Sequence, residues 1–253
     1  MPYRFAQDRD DYTDFAAGQV LYSLPGQPAF PVRLTTEIFQ RCRAHLLRLG
    51  RAHPYTVYDP FCGSAYLLVT LAYLHWLEIR QIMGSDADPA IIPLARHNLS
   101  LITPDGMEAR IEQLGQLYEA FGHASHAQAL TSARRLQTRL LEYCRQHMIT
   151  SHIFVANALS REDLLQHPEL SAVDLIISDL PYGQQSTWVA PQQPGAPSNP
   201  AWQLLDALQA IASPNTIIAL TSNKQQKIAH DAYQRVEQFQ IGKRRTNFFR
   251  LQV

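Results

Sequence analysis

The chain has 253 residues, 46% of them hydrophobic and 17% charged, with 22 Lys+Arg balancing 22 Asp+Glu. That length and apolar content can bury one large core, and they exclude intrinsic disorder, collagen and coiled coil. Zero formal net charge excludes a globally basic nucleic-acid binder, although it leaves room for a local basic patch.

The opening Met1-Pro2-Tyr3-Arg4-Phe5-Ala6-Gln7-Asp8 lacks the apolar core of a signal peptide. The longest apolar run, Ala65 to Leu77, is broken by Thr70 and His75 and falls short of the roughly 20 residues that span a bilayer. Three widely spaced cysteines (Cys42, Cys62, Cys144) form no Cys-x-x-Cys and suggest neither a disulfide framework nor a structural zinc site. A soluble, cytoplasmic, monomeric protein without a bound metal is expected.

Residues 1–53 read as an N-terminal helical extension. An acidic start (Asp8, Asp10, Asp11, Asp14) leads through a Pro/Gly-punctuated loop to a helix that Thr35 or Thr36 can cap, with Ile38, Phe39, Cys42, Leu46 and Leu49 at helical spacing. Residues 54–253 read as one α/β domain. Short apolar strands are expected at 56–58, 81–85, 153–155, 173–178 and 216–220, separated by helical patterns at 65–77, 89–101 and 200–212. This is the rhythm of a Rossmann-like, mostly parallel, doubly wound sheet. Two amphipathic helices are inserted at about 105–150, and a Gln/Pro-rich loop at about 184–200 has the length and position of a lid. The stretch from Ile241 to Leu251 reads as a closing antiparallel hairpin, with Gly242 near its turn.

Four strand ends carry the chemistry. Asp59-Pro60-Phe61-Cys62-Gly63-Ser64-Ala65 is a small-residue turn between a strand and a helix, where backbone can approach a nucleotide-like ligand. It is neither a dinucleotide fingerprint nor a phosphate-gripping loop. A carboxylate beside it would repel phosphate but suits an ammonium or sulfonium group, and S-adenosylmethionine carries both. Gly84-Ser85-Asp86-Ala87-Asp88-Pro89 follows, with Asp86 placed 23 residues after Gly63, the spacing of a strand-end carboxylate that binds ribose hydroxyls. Asp88 can also cap the next helix. Asn157, with Ala158, can read an adenine edge, as a surface turn would also look. Ile177-Ser178-Asp179-Leu180-Pro181-Tyr182-Gly183 runs a buried strand into an acid, a proline and an aromatic. It fits methylation of an exocyclic amino group: Asp179 would localise the nitrogen lone pair, Pro181 would fix the backbone and Tyr182 would stack on an extruded base. Cys62 reads as a small packing residue rather than a nucleophile.

These motifs, in this order, resemble class I S-adenosylmethionine-dependent methyltransferases. The Asp179-Leu180-Pro181-Tyr182 segment resembles the Asp/Asn-Pro-Pro-Tyr/Phe signature of amino-group methyltransferases. Phe30-Pro31-Val32-Arg33-Leu34-Thr35 resembles their N-terminal cofactor-contacting segment, which implies Arg33 as a cofactor contact. Pro25-Gly26, Pro28 to Leu34, Thr36 to Arg41, the Asp59–Ala65 turn, Asp179 to Gly183 and Ile241-Gly242 together resemble the AviRa-type rRNA methyltransferases. That resemblance spans nearly the whole chain. It implies a seven-stranded Rossmann-like sheet, S-adenosylmethionine as methyl donor, a guanosine of 23S rRNA (free or in the large ribosomal subunit) as substrate, and avilamycin-type resistance as an outcome. Ala65 stands where many relatives have Gly, and Asn157 where Asp is common.

The cofactor set expected from motif and resemblance is thus Arg33, Asp59, Cys62, Gly63, Ser64, Asp86, Ala87, Asp88, Asn157, Ala158 and Asp179. For RNA phosphates, basic residues concentrate in the Arg41–Arg51 helix and in the C-terminal stretch. Arg41, Arg43, Lys224, Lys227, Lys243, Arg244 and Arg245 are expected to flank the catalytic mouth, against the alternative of a solvated, charge-protected sheet edge. Open alternatives are a DNA adenine or protein-glutamine amino methyltransferase, and a non-catalytic RNA-binding module of the same fold.

Overall fold

The central parallel strands are buried on both faces, so only a few apolar residues are needed to cross the core. The structure is a computed structural model and describes residues 3–23, 29–181, 188 and 199–252. Strands β1 (Tyr55–Asp59), β2 (Ile79–Asp86), β3 (Thr150–Val155), β4 (Leu175–Asp179) and β5 (Ile217–Asn223) run parallel, and the hairpin β6 (Tyr233–Ile241) and β7 (Arg244–Leu251) adds antiparallel to β5. Among the described residues the sheet has seven strands in the order β3-β2-β1-β4-β5-β7-β6. Sequence order reverses at β1, which lies between β2 and β4. In open α/β sheets the crevice above such a switch point is where ligands bind.

Helices cover both faces. On one, α1 (Val32–Arg48), α2 (Tyr66–Leu74), α3 (Ile92–Ser100), α4 (Pro104–Phe121) and α5 (Ala124–Cys144) share a core with the strands; on the other lie α6 (Arg161–Leu165) and α7 (Pro200–Leu208). Helix α2 is apolar almost all round and is buried from Tyr66 to Tyr73, as its sequence requires. Helices α4 and α5 form the inserted pair. Thr103 caps α4 by accepting the Gly106 N–H, Pro104 takes the first helical position, and left-handed Gly122 ends the helix.

Several expectations shift. Helix α1 begins at Val32, with no side-chain cap from Thr35 or Thr36. The described residues before it are irregular apart from a 3-10 turn at Thr13–Phe15, so among the described residues the expected helical extension contains a single α-helix. Strands β3 and β6 extend beyond their apolar residues, because both are edge strands whose outer positions face water.

The irregular segment is held by side chains rather than by periodicity. Buried Glu37 on α1 accepts the N–H groups of Arg4, Phe5 and Ala6 (2.7, 2.8 and 2.9 Å) and pairs with Arg41. Arg33 donates to the carbonyls of Ala6 and Gln7 and stacks over Tyr3.

Candidate active site

The tips of β1, β2 and β4 stand side by side at the carboxyl edge of the sheet. Asp59, the last residue of β1, is 2% exposed. Its Oδ1 accepts the Ser178 hydroxyl of β4 at 2.5 Å and the Phe61 N–H at 3.1 Å. Burial pushes the Asp59 carboxyl up to about 7, the two hydrogen bonds oppose that rise, and the neighbouring Asp86 and Asp179 carboxylates add to it. The sequence motif assigns Ser178 no role. A hydroxyl inside a buried apolar strand is the signal that would have marked it, because such a group needs a partner.

The turn after β1 leans on β2. Gly63 and Asp86, 23 positions apart, are joined directly: the Gly63 N–H donates to Asp86 Oδ2 at 3.0 Å, while Oδ1 takes the Asp88 N–H at 3.0 Å. Asp86 is half-buried and its carboxyl is raised by burial. The Asp88 carboxylate is exposed and accepts the Ala90 N–H at 2.9 Å in a turn ahead of α3, which starts at Ile92 without a side-chain cap, so Asp88 does not cap that helix; Ala87 lies between the two acids. Close contact between turn and strand depends on Gly84, where a Cβ would sit 2.8 Å from Leu68 and Ile153 side-chain carbons and 3.0 Å from the Cys62 Cβ. Cys62 is buried and its thiol is pushed well up by burial, the wrong state for a nucleophile. Ala65 is left-handed (φ 59°), a conformation that costs a residue with a Cβ about 1 kcal/mol or more. Glycine would carry no such strain there.

Asp179 ends β4 in register with Thr221 of β5, and the Leu180 N–H donates to the Thr221 carbonyl at 2.8 Å. Asp179 is half-buried and Pro181 is buried. Tyr182 and most of the expected lid lie outside the described residues. Trp188, which is described, packs edge-to-face on Phe61 of the Asp59–Ala65 turn with ring centroids 5.3 Å apart. Beyond β3, Asn157 Oδ1 accepts the Leu159 N–H at 3.0 Å and Ala158 is buried, so this strand end is a locally closed turn.

The basic residues divide into two groups. Lys224 follows β5, Lys243 lies in the β6–β7 turn, and the Lys224 N–H donates to the Lys243 carbonyl at 2.9 Å. Arg244 and Arg245 pair with Asn223 and Ser222. Lys224, Lys227 and Lys243 are exposed, Arg244 and Arg245 half-buried. The β7 end of this group lies on the carboxyl edge, two strand spacings or about 10 Å to the side of β4. Arg41 and Arg43 do not join it. Arg41 is 7% exposed, pairs with Glu37 and Glu237, and lies over the Phe239 ring. Arg43 pairs with Glu78, just before β2, at the opposite edge of the sheet. The reason is direction: α1 runs down from the carboxyl edge, so ten residues past Arg33 the chain is about 15 Å lower. Arg33 itself is committed to the carbonyls of Ala6 and Gln7.

Comparison with known proteins bears on what this arrangement does. The family described as rRNA methyltransferase AviRa matches residues 1–244. A 23S rRNA (guanine(2535)-N(1))-methyltransferase of Streptomyces viridochromogenes is 39% identical over 242 residues, covering 96% of this chain and 93% of the relative. A solved structure of the rRNA methyltransferase aviRa of the same organism superposes with a TM-score of 0.86 at 38% identity, covering 99% of this chain and 96% of that one. TrmN of Thermus thermophilus shares only the fold, with a TM-score of 0.51 at 15% identity over 90% of this chain and 51% of its own. The methyl position in the relative's name, N1, is a ring nitrogen, not the exocyclic amino group that the Asp179–Tyr182 segment suggested. Both lie on the same Watson–Crick edge of guanine, so a strand-end carboxylate aimed at one reaches the other.

Proposed function

This chain belongs to the AviRa family of rRNA methyltransferases, and from that premise we propose that it methylates N1 of a guanine in 23S rRNA at the crevice above β1, β2 and β4. Family membership makes it an enzyme and sets aside the DNA-adenine, protein-glutamine and non-catalytic alternatives. The observation that carries the placement is the cluster of Asp59, Asp86 and Asp179 on three adjacent strand tips. Among the described residues neither Asp59 nor Asp86 pairs with a cation, and burial raises both. Such a donor set suits a ligand that brings its own positive charge and a ribose diol.

S-adenosylmethionine fits, and when bound it supplies a methyl group on a sulfonium leaving group. Asp86 holds the ribose hydroxyls beside Gly63, and Asp59 faces the cationic end. Gly63, Ser64, Ala87 and Asp88 border the same ligand. Guanine N1 carries a proton, so its lone pair must be freed before it can attack. Asp179 accepts that proton from N1 onto a carboxylate oxygen, and the Leu180 carbonyl takes a hydrogen bond from the adjacent amino group. Pro181 fixes this strand end. Lys224, Lys227, Lys243, Arg244 and Arg245 hold phosphates of the RNA on either side of the extruded base. Resistance to avilamycin-type drugs would follow from the modified guanine.

The test is transfer of labelled methyl from S-adenosylmethionine to 23S rRNA and, separately, to large ribosomal subunits, with the site mapped by primer extension and nucleoside mass spectrometry. The expected product is 1-methylguanosine at one position, which blocks Watson–Crick pairing and stops the primer. Label in an amino-methylated nucleoside, or no label in either substrate, overturns the proposal.

Asp59 gives a pH-dependent result. Its folded-state value near 7 lies above that of an unfolded aspartate, so between those two values the folded, ligand-free protein holds a proton that the unfolded chain has released. Its contribution to stability is therefore greatest in acid and declines as pH rises to about 7. A cationic ligand favours the ionised form. Affinity for S-adenosylmethionine should climb with pH, by at most about tenfold per unit, and level off above about 7. Calorimetry across this range checks it. Asp59→Asn, which keeps an acceptor for Ser178, should flatten the profile, and a slope unchanged in that variant would assign the titration elsewhere.

A further inference from the structure

The segment before α1 reaches the cofactor turn through one buried side chain. Asn98 on α3 is 0% exposed and makes three hydrogen bonds. Its Oδ1 accepts the Tyr22 N–H at 2.8 Å, and its Nδ2 donates to the Tyr22 carbonyl at 2.9 Å and to the Ser64 carbonyl at 2.8 Å. Ser64 lies between two left-handed residues, Gly63 (φ 51°) and Ala65 (φ 59°). Nearby, the hydroxyl of Tyr66, the first residue of α2, donates to the Phe15 carbonyl. From the other side, Arg110 of α4 donates to the Val20 and Gln19 carbonyls and lies 4.0 Å over the Tyr22 ring. The stretch from Phe15 to Tyr22 is thus fastened both to the cofactor turn and to the inserted helix.

We infer that Asn98 is a positioning residue for cofactor binding: by holding the Ser64 carbonyl it orients the Ser64–Ala65 peptide in a strained turn, and by holding Tyr22 it makes the N-terminal segment part of that support. The inference rests on the reading of the Asp59–Ala65 turn as the cofactor site. An amide is the side chain that can do this. It accepts from one backbone N–H while donating to two carbonyls, and loss of any of these bonds strands a buried polar group. Coupling of this kind is reciprocal: a ligand that favours the held turn also favours the held Tyr22.

Hydrogen–deuterium exchange on the unaltered chain, with and without S-adenosylhomocysteine, tests it without mutation. Exchange should slow at the Asp59–Tyr66 turn and also at Val20–Tyr22. Protection at the turn with none at Val20–Tyr22 overturns the inference. No protection at the turn overturns instead the reading of the site on which it rests. Asn98→Asp keeps the acceptor for the Tyr22 N–H but loses both donors, and should raise the calorimetric Kd for S-adenosylhomocysteine by about tenfold. In kinetics the change should appear in KM for S-adenosylmethionine rather than in kcat. Arg110→Met loosens the same segment without touching Ser64 and should raise that Kd by a smaller factor, about twofold. Equal shifts in the two variants, or an unchanged Kd in a folded Asn98→Asp protein, overturn the positioning role.

Discussion

Asp179→Asn is expected to lower kcat by about 10³-fold, the scale of a lost proton acceptor, while calorimetric affinity for S-adenosylhomocysteine stays within about threefold. The amide has nearly the shape of the carboxylate and can still accept a hydrogen bond from the guanine edge. It cannot take the N1 proton. The strand end is held independently of the Asp179 side chain, by register with Thr221, by the Leu180 N–H to the Thr221 carbonyl and by buried Pro181. The substitution therefore removes chemistry rather than architecture. Single-turnover rates with saturating RNA check it, and the fall should shrink as pH rises and N1 loses its proton to solvent. A kcat within tenfold of the parent would remove Asp179 from the role of base. A loss confined to cofactor affinity would instead leave it only as a cofactor contact.

Glu37→Leu carries the largest expected effect on stability. The wild-type carboxylate accepts three backbone N–H groups and pairs with Arg41, which is itself buried and also pairs with Glu237. Removing the acid strands those donors and leaves a buried guanidinium short of one partner. Breaking a buried pair in this way costs about 3–5 kcal/mol, which for a chain of this size lowers Tm by about 10 °C. Burial alone would raise the Glu37 carboxyl, but the N–H groups of Ala6, Arg4 and Phe5 together with Arg41 outweigh it and hold it below the ordinary glutamate value. The contribution is therefore present at neutral pH and lost as pH falls through the glutamate range into acid. Thermal melts at pH 7 and pH 4 check both points: the gap between parent and variant should narrow at the lower pH. Limited proteolysis should cut the variant first within residues 3–23. A Tm within 2 °C of the parent at pH 7 would mean that Glu37 does not anchor the N-terminal segment.

These two residues differ in how far the sequence announces them. Asp179 stands where a buried apolar strand runs into an acid, a proline and an aromatic, and the fold leaves it there. Glu37 sits among helix-forming residues with only Arg41, four positions on, as a local partner; the rest, Arg4 to Ala6 and, through Arg41, Glu237, are distant in the chain. Asn98 is of the same kind: a polar residue in a short helix whose role appears only when Tyr22 and Ser64 are brought to it. The arginines of α1 look like one basic face, yet α1 buries Arg41 and carries Arg43 to the far edge of the sheet, whereas the β6–β7 turn leaves Lys243 exposed on the near edge.

Taken alone, the sequence determined the alternation of strands and helices, the acids at the strand tips and the 23-residue interval that the Gly63–Asp86 hydrogen bond closes. Each of those is a local pattern: burial on both faces makes a strand continuously apolar, so the first polar residues after it mark the strand end and the crevice. Only the tertiary structure decided how residues 3–23 are tied down, which basic residues share an edge with the crevice, and that Ser178 and Asn98 hydrogen-bond to the strand tip and the turn. Those depend on hydrogen bonds and ion pairs between segments far apart in the chain, which have no periodicity to betray them.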